Sequence, residues 1–132
     1  MIGLDSGFFI KLLQGDEVAA EVWEQVLRKK EEAYVSCLTL FELERLGLKA
    51  MIDKEAVNVV NAAIKENCEL IWIDDPEIIE QSSRLSHGLG MPSVSALILA
   101  GFLVKEIKKV YTTDRHFQAY RKKKFEAVVL SR

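Results

Sequence analysis

An α/β fold on a mainly parallel sheet of four or five strands, flanked by helices, is what this sequence predicts. Short apolar runs alternate with longer stretches of helical periodicity, which argues for βαβ units. Three acids, Asp5, Glu42 and Asp114, fall where the chain turns from a predicted strand into a predicted helix. The 132 residues suit one domain, 1–132, with a continuous core that needs no disulfide or structural metal.

Residues 2–5 read as a short buried strand, followed by an apolar helical turn, Phe8-Phe-Ile-Lys-Leu-Leu13. Gly15 and Asp16 break that turn, and Asp16 is a good N-cap for a helix from about 17 to 30. That helix is expected to bury Val18, Val22, Val26 and Leu27 on one face. Residues 33–36 read as the second strand. A Leu-rich helix follows over about 40–50, and another helix over 53–66. Glu69-Leu-Ile-Trp-Ile-Asp74 is the third strand, and Pro76 suits the first turn of a helix over 76–86. Gly88, Gly90 and Pro92 predict a loop. Val94 to Val104 predicts a buried helix, and 109–112 the fourth strand. A short helix near 115–121 and a last strand at 127–130 complete the pattern.

Composition excludes several classes. No apolar run approaches the roughly 18 residues of a spanning helix, so no membrane role is expected. The start, Met1-Ile-Gly-Leu-Asp5, lacks the basic segment of a signal peptide. Cys37 and Cys68 form no CxxC pair, and free thiols fit a reducing cytoplasm. Net charge is −2, so the chain as a whole is no basic nucleic-acid binder. A local basic run, Arg121-Lys-Lys-Lys124, reads first as a solvated face and second as an RNA-phosphate contact.

The acids carry the chemistry. In parallel sheets the C-terminal strand ends meet at one rim, where ligand sites form. Three like charges there repel one another unless a cation sits between them, and oxygen ligands suit Mg²⁺ or Mn²⁺. Each acid also has a capping reading. Asp5 suits a helix starting at Ser6, and Asp114 one starting at Arg115. Thr39 and Glu42 match the Thr-x-x-Glu capping box. Jointly the ligand reading is stronger, because Asp5 and Asp114 end buried strands and Glu42 interrupts an apolar helix. His116 has no partner at metal-ligand spacing, and His87 stands in a loop expected to be exposed. No Gly-x-Ser-x-Gly elbow and no Gly-rich phosphate loop is present. A phosphatase of the haloacid dehalogenase type wants a second Asp two residues after the first, where Gly7 stands.

These motifs, in this order and spacing, resemble those of the PIN-domain ribonucleases, particularly the VapC-type toxins of toxin–antitoxin pairs. Ile2-Gly-Leu-Asp5-Ser6 resembles that family's opening strand, Ser36-Cys-Leu-Thr-Leu-Phe-Glu42-Leu its second motif, and Val110-Tyr-Thr-Thr-Asp114-Arg-His-Phe117 its last. The third motif departs. Members usually open a buried, Ala-rich helix with Asp, and in Met91-Pro-Ser93-Val-Ser-Ala-Leu-Ile-Leu-Ala100 Ser93 takes that place.

The resemblance implies a divalent-metal-dependent endoribonuclease. Asp5, Glu42 and Asp114 then hold Mg²⁺ or Mn²⁺, with Ser6, Ser93 and Thr112 as accessory hydroxyls. It also implies RNA as substrate, an antitoxin partner and a homodimer in the cytoplasm. Phe8, Phe9, Leu46, Leu48 and Met51 are more numerous than a small sheet is expected to cover, which supports an apolar interface. The competing expectation is a catalytically degenerate PIN domain that binds RNA or protein without cutting, since Ser93 brings no charge.

Overall fold

Five parallel strands in the order β3-β2-β1-β4-β5 form the sheet: β1 (Ile2–Leu4), β2 (Ala33–Ser36), β3 (Glu69–Ile71), β4 (Lys109–Thr112) and β5 (Glu126–Val129). The structure, a computed structural model, describes residues 1–122 and 124–131. Lys123 of the basic run therefore lies outside the described residues. Among the described residues six α-helices flank the sheet: α1 (Ser6–Leu13), α2 (Glu17–Leu27), α3 (Cys37–Leu48), α4 (Lys54–Asn67), α5 (Pro76–Leu89) and α6 (Ser93–Val104). A 3₁₀ helix, Arg115–Ala119, follows β4. Among the described residues, no helix is long and apolar enough to cross a membrane.

Strand alternation sorts the core into two layers. Ile2, Leu4, Ala33 and Val35 face α1 to α4, packing with Phe8, Phe9, Leu43, Val57 and Ile64. On the other face Val110 and Ile71 pack with Ile78, Leu99, Phe102 and Phe117 from α5, α6 and the 3₁₀ helix. Phe8 and Phe9, expected as surplus apolar surface, are fully buried instead. Their rings meet edge to face with each other and with Tyr111 and Trp23. Of that expected surplus, Leu48 and Met51 remain exposed.

Several elements differ from expectation in instructive ways. Helix α2 buries Ala19 and Val26 and partly buries Val22 and Trp23, an i, i+3, i+4, i+7 stripe. Val18 and Leu27 fall off that stripe and are exposed. Helix α5 runs through the predicted loop as far as Leu89. Gly90 ends it in the left-handed conformation (φ 64°), so Gly88 is helical. Asp16 caps α2 as its sequence context suggests, accepting from the Ala19 amide, and Asp75 caps α5 by accepting from the Glu77 amide. Cys37 and Cys68 are both free thiols.

Candidate metal and active site

The chain leaves β1 for β2 on one side and reaches β4, then β5, on the other. The β1–β4 boundary is thus the switch point, where the C-terminal ends of neighbouring strands open a crevice. Asp5 directly follows β1, and Asp114 follows β4 after Thr113. The Asp5 amide donates to the Tyr111 carbonyl, which draws the two strand ends together.

Asp5 serves two roles at once. It caps α1 by accepting from the Phe8 amide (3.1 Å), and its other oxygen accepts from the Thr112 hydroxyl. Thr112 Oγ1 accepts in turn from the Asp114 amide (2.8 Å), so one buried threonine ties both acids to a common frame. Gly7 makes this join possible: a Cβ there would lie 2.0 Å from Thr113 Oγ1 and 3.0 Å from the Thr113 amide nitrogen.

Glu42 is not a capping-box residue. Helix α3 starts at Cys37 with Ser36 as its cap, three residues before the Thr39 expected from sequence. Thr39 is buried inside the helix, its hydroxyl without a partner among the described residues. Freed from capping, Glu42 reaches across to α1 and accepts from Ser6 Oγ at 2.7 Å. The third acid is held on both oxygens. Asp114 Oδ1 accepts from the His116 amide (2.9 Å) and pairs with His116 Nδ1 (2.7 Å), while Oδ2 accepts from Ser95 Oγ (2.5 Å).

Ser93 is therefore corrected as the contribution of α6. It is exposed and lines a groove between α5 and α6 with Ser82, Ser86 and His87. Ser95, two residues on, is the α6 side chain that meets an acid. A step of two residues turns a helix by about 200°, so the two serines face apart. Sequence reading missed Ser95 because both serines open the same helix. It also passed over His116, whose partner is the nearby Asp114 rather than a second ligand; the i, i+2 spacing across a tight helical start was the available signal.

Electrostatics mark Asp5. It is 4% exposed, and burial pushes its carboxyl up to about 7 from the ordinary 3.8. The Thr112 and Phe8 hydrogen bonds pull it down, and the charges of Asp114 and Glu42 push it further up. The three acids thus share one field. Among the described residues, however, no three His, Cys, Asp or Glu side chains stand close enough to enclose an ion as they lie. Their oxygens are occupied by protein donors, apart from Glu42 Oε2, which has no hydrogen bond among the described residues. The donor set is all oxygen and its charges are mutually repelling, which fits a hard divalent cation.

The PIN domain family pattern matches residues 2–123. The chain belongs to the PIN domain family. Solved structures agree in fold. A Rickettsia felis VapBC2 complex, bound to a promoter DNA fragment, matches with TM-score 0.76 and 14% identity over 99% of this chain and 100% of that one. A Klebsiella pneumoniae toxin–antitoxin complex matches with TM-score 0.69 and 19% identity over 87% and 88%. FitAcB from Neisseria gonorrhoeae matches with TM-score 0.63 and 20% identity over 90% and 92%. No curated protein sequence matches the chain. In this PIN domain the three acids stand just after β1, on α3 and in the turn after β4, and Ser95 of α6 meets Asp114.

Proposed function

We propose that this PIN domain is a divalent-metal-dependent endoribonuclease of the toxin kind, hydrolysing RNA phosphodiester bonds in the cytoplasm. The observation that carries this reading is Asp5, an acid buried at the switch point and pushed up to about 7, in part by Asp114 and Glu42. Capping accounts for Asp5 and Asp114 singly but not for burying Asp5 within the field of two further acids, which a cation site does.

Asp5, Glu42 and Asp114 would hold Mg²⁺ or Mn²⁺. Such an ion, when bound, supplies Lewis acidity toward the phosphate oxygens and makes an attacking water more acidic. The chain's own residues position the donors. Ser6 steers Glu42, Thr112 fixes Asp5 and the Asp114 backbone, and Ser95 and His116 hold the two Asp114 oxygens. In the net reaction water adds to phosphorus, the P–O bond to the next nucleotide breaks, and the departing oxygen takes a proton.

A second reading, a degenerate PIN domain that binds RNA or protein without cutting, draws support from Ser95. Helix α6 brings a neutral hydroxyl where another carboxylate would add charge, and no three acids among the described residues enclose an ion as they lie. Partners follow the relatives, two of which are solved as toxin–antitoxin complexes or named pairs. Exposed Phe41, Leu48, Met51 and Val59 on and beside α3 and α4 support an antitoxin face or a homodimer.

One experiment separates the two readings. Melting curves with millimolar Mg²⁺ or Mn²⁺ and cleavage of single-stranded RNA are measured on wild type and Glu42→Gln. The nuclease predicts a rise in Tm with the ion and chelator-sensitive cleavage, both lost in Glu42→Gln. A Tm indifferent to either ion, with intact RNA, selects the degenerate domain.

A further inference from the structure

A cavity of about 630 Å³, within the roughly 300–1,000 Å³ usual for ligand clefts, opens between α1 and the residues that flank Asp114. Helix α1 forms one wall with Gly7, Lys11 and Gln14, and the turn after β4 forms another with Thr113 and Arg115. Both walls adjoin site residues along the chain. Gly7 follows Ser6, the partner of Glu42, while Thr113 stands between Thr112 and Asp114.

The charge of this cavity is the reverse of its neighbour's. Lys11 and Arg115 line it, and no acidic side chain does so among the described residues. Neither cation forms an ion pair among the described residues, although Arg115 directly follows Asp114 in sequence. Two uncommitted cations in a concave site, one of them following Asp114 in the chain, suit an anion held near the acids without touching them. A nucleic-acid strand carries such an anion at every residue, and phosphate contacts set the register of the strand.

We propose that the Lys11–Arg115 cavity is the subsite for the nucleotide next to the bond that is cut. Lys11 and Arg115 grip its phosphate, and Gln14 offers an amide to its sugar or base. Both cations are positioning residues: they fix which phosphodiester lies over Asp5 and Asp114. Arginine's planar fork can bind two phosphate oxygens at once, while Lys11, on a half-buried helix position, acts as a point charge. This inference rests on the nuclease reading of the acids.

The test is binding of a labelled single-stranded RNA decamer in chelator, where nothing is cut, across a salt series. The full chain is compared with Lys11→Gln, Arg115→Gln, the double variant, Lys11→Arg, and Lys29→Gln at the opposite end of the sheet. The double variant should bind at least about tenfold more weakly. Its salt slope should flatten by about 0.7 for each phosphate it no longer neutralises. Lys11→Arg and Lys29→Gln should keep wild-type slopes, and the divalent-ion rise in Tm should survive in every variant. In cleavage assays KM should rise while kcat stays within about threefold. If wild type binds and cuts RNA and the double variant keeps its affinity and slope, the subsite is overturned and the nuclease reading stands. If wild type neither binds nor cuts RNA, both fall together.

Discussion

The two ends of the parallel sheet are both rich in carboxylates, yet they are different objects. At the N-terminal end, Glu31, Glu32, Glu66 and Glu69 surround a cavity of about 300 Å³. Glu31 pairs there with the chain's own N-terminal amine, Glu32 accepts from the Tyr34 hydroxyl, and Glu66 and Glu69 are exposed. At the C-terminal end the acids are fewer, and one of them is buried. Water screens the first group, whereas Asp5 is desolvated and feels its neighbours at short range. Acid count therefore says little about where a cation belongs; desolvation and strand geometry say more.

The largest expected difference between the two ends is at Asp5. Asp5→Asn should lower RNA cleavage at least about 100-fold, as loss of a metal-holding charge does. The same change should stabilise the protein in chelator. The folded carboxyl keeps its proton to about pH 7, while the unfolded one releases it near 3.8. Between these values the folded state binds more protons. Stability therefore falls as pH rises from about 4 to about 7 and stays low above that. Asp5→Asn should flatten the profile and raise the Tm at pH 8. A mutant that melts below wild type there, with the wild-type slope retained, would refute the assignment of strain to this carboxylate.

Gly7→Ala comes next, because it attacks the join between α1 and the β4 turn. The added methyl meets both the Thr113 side chain and its backbone nitrogen, so relief requires the turn itself to move. A loss of about 1–3 kcal/mol is expected from denaturant titration, with the divalent-ion rise in Tm reduced as Asp114 shifts. The N-terminal end has no comparable constraint at its acids, and Gly15→Ala, at an open position, should disturb neither. The alanine at position 15 must adopt φ +80°, so any loss there should reflect local backbone strain alone.

Much of this is legible in the sequence. Strand and helix order, the Asp16 cap, Pro76 in the first turn of α5, and the junction placement of Asp5 and Asp114 follow from local chemistry. What is not legible is a matter of helix phase and helix start. Helix α6 buries Ala96, Ile98, Leu99, Ala100, Gly101 and Phe102, which lie all round its axis. No amphipathic stripe marks which early residue faces the rim, so Ser93 and Ser95 are indistinguishable in sequence. The capping box at Thr39 is locally sound, but β2 hands directly to α3 through Ser36, and the helix begins a turn early. Phe8 and Phe9 escape a local reading because α1 packs both faces of its first turn, a tertiary fact with no local signal.

That phase question can be put to the molecule directly. Ser95→Asp adds a carboxylate against Asp114 Oδ2, where Ser95 Oγ now donates. In chelator the new repulsion should lower the Tm. With Mg²⁺ or Mn²⁺ the rise in Tm should exceed that of wild type, and cleavage should increase by a few fold. Ser93→Asp, on the exposed α5–α6 groove, should do none of this. Equal responses from the two variants would contradict the placement of Ser95 at the acids.

The smallest effect belongs to the N-terminal end, and its smallness is the point. Glu66 and Glu69 are exposed, and neither takes part in a hydrogen bond or ion pair between side chains among the described residues. Solvent already stabilises their charge, so neutralising it removes little. Glu66→Gln and Glu69→Gln should each change stability by no more than about 0.5 kcal/mol. Glu69 opens β3, where the same residue's backbone pairs with Tyr34, and Gln preserves that ladder. Neither variant should alter the divalent-ion rise in Tm or the rate of RNA cleavage. The measurement is a paired melt with and without Mg²⁺, run beside Asp5→Asn. Should Glu66→Gln or Glu69→Gln abolish the ion's effect while Glu42→Gln leaves it intact, the cation would sit at the N-terminal cavity. Exposed acids would then have outcompeted a buried one. Electrostatics argue against it: an ion gains most where it relieves repulsion in a desolvated site, and that site is at Asp5.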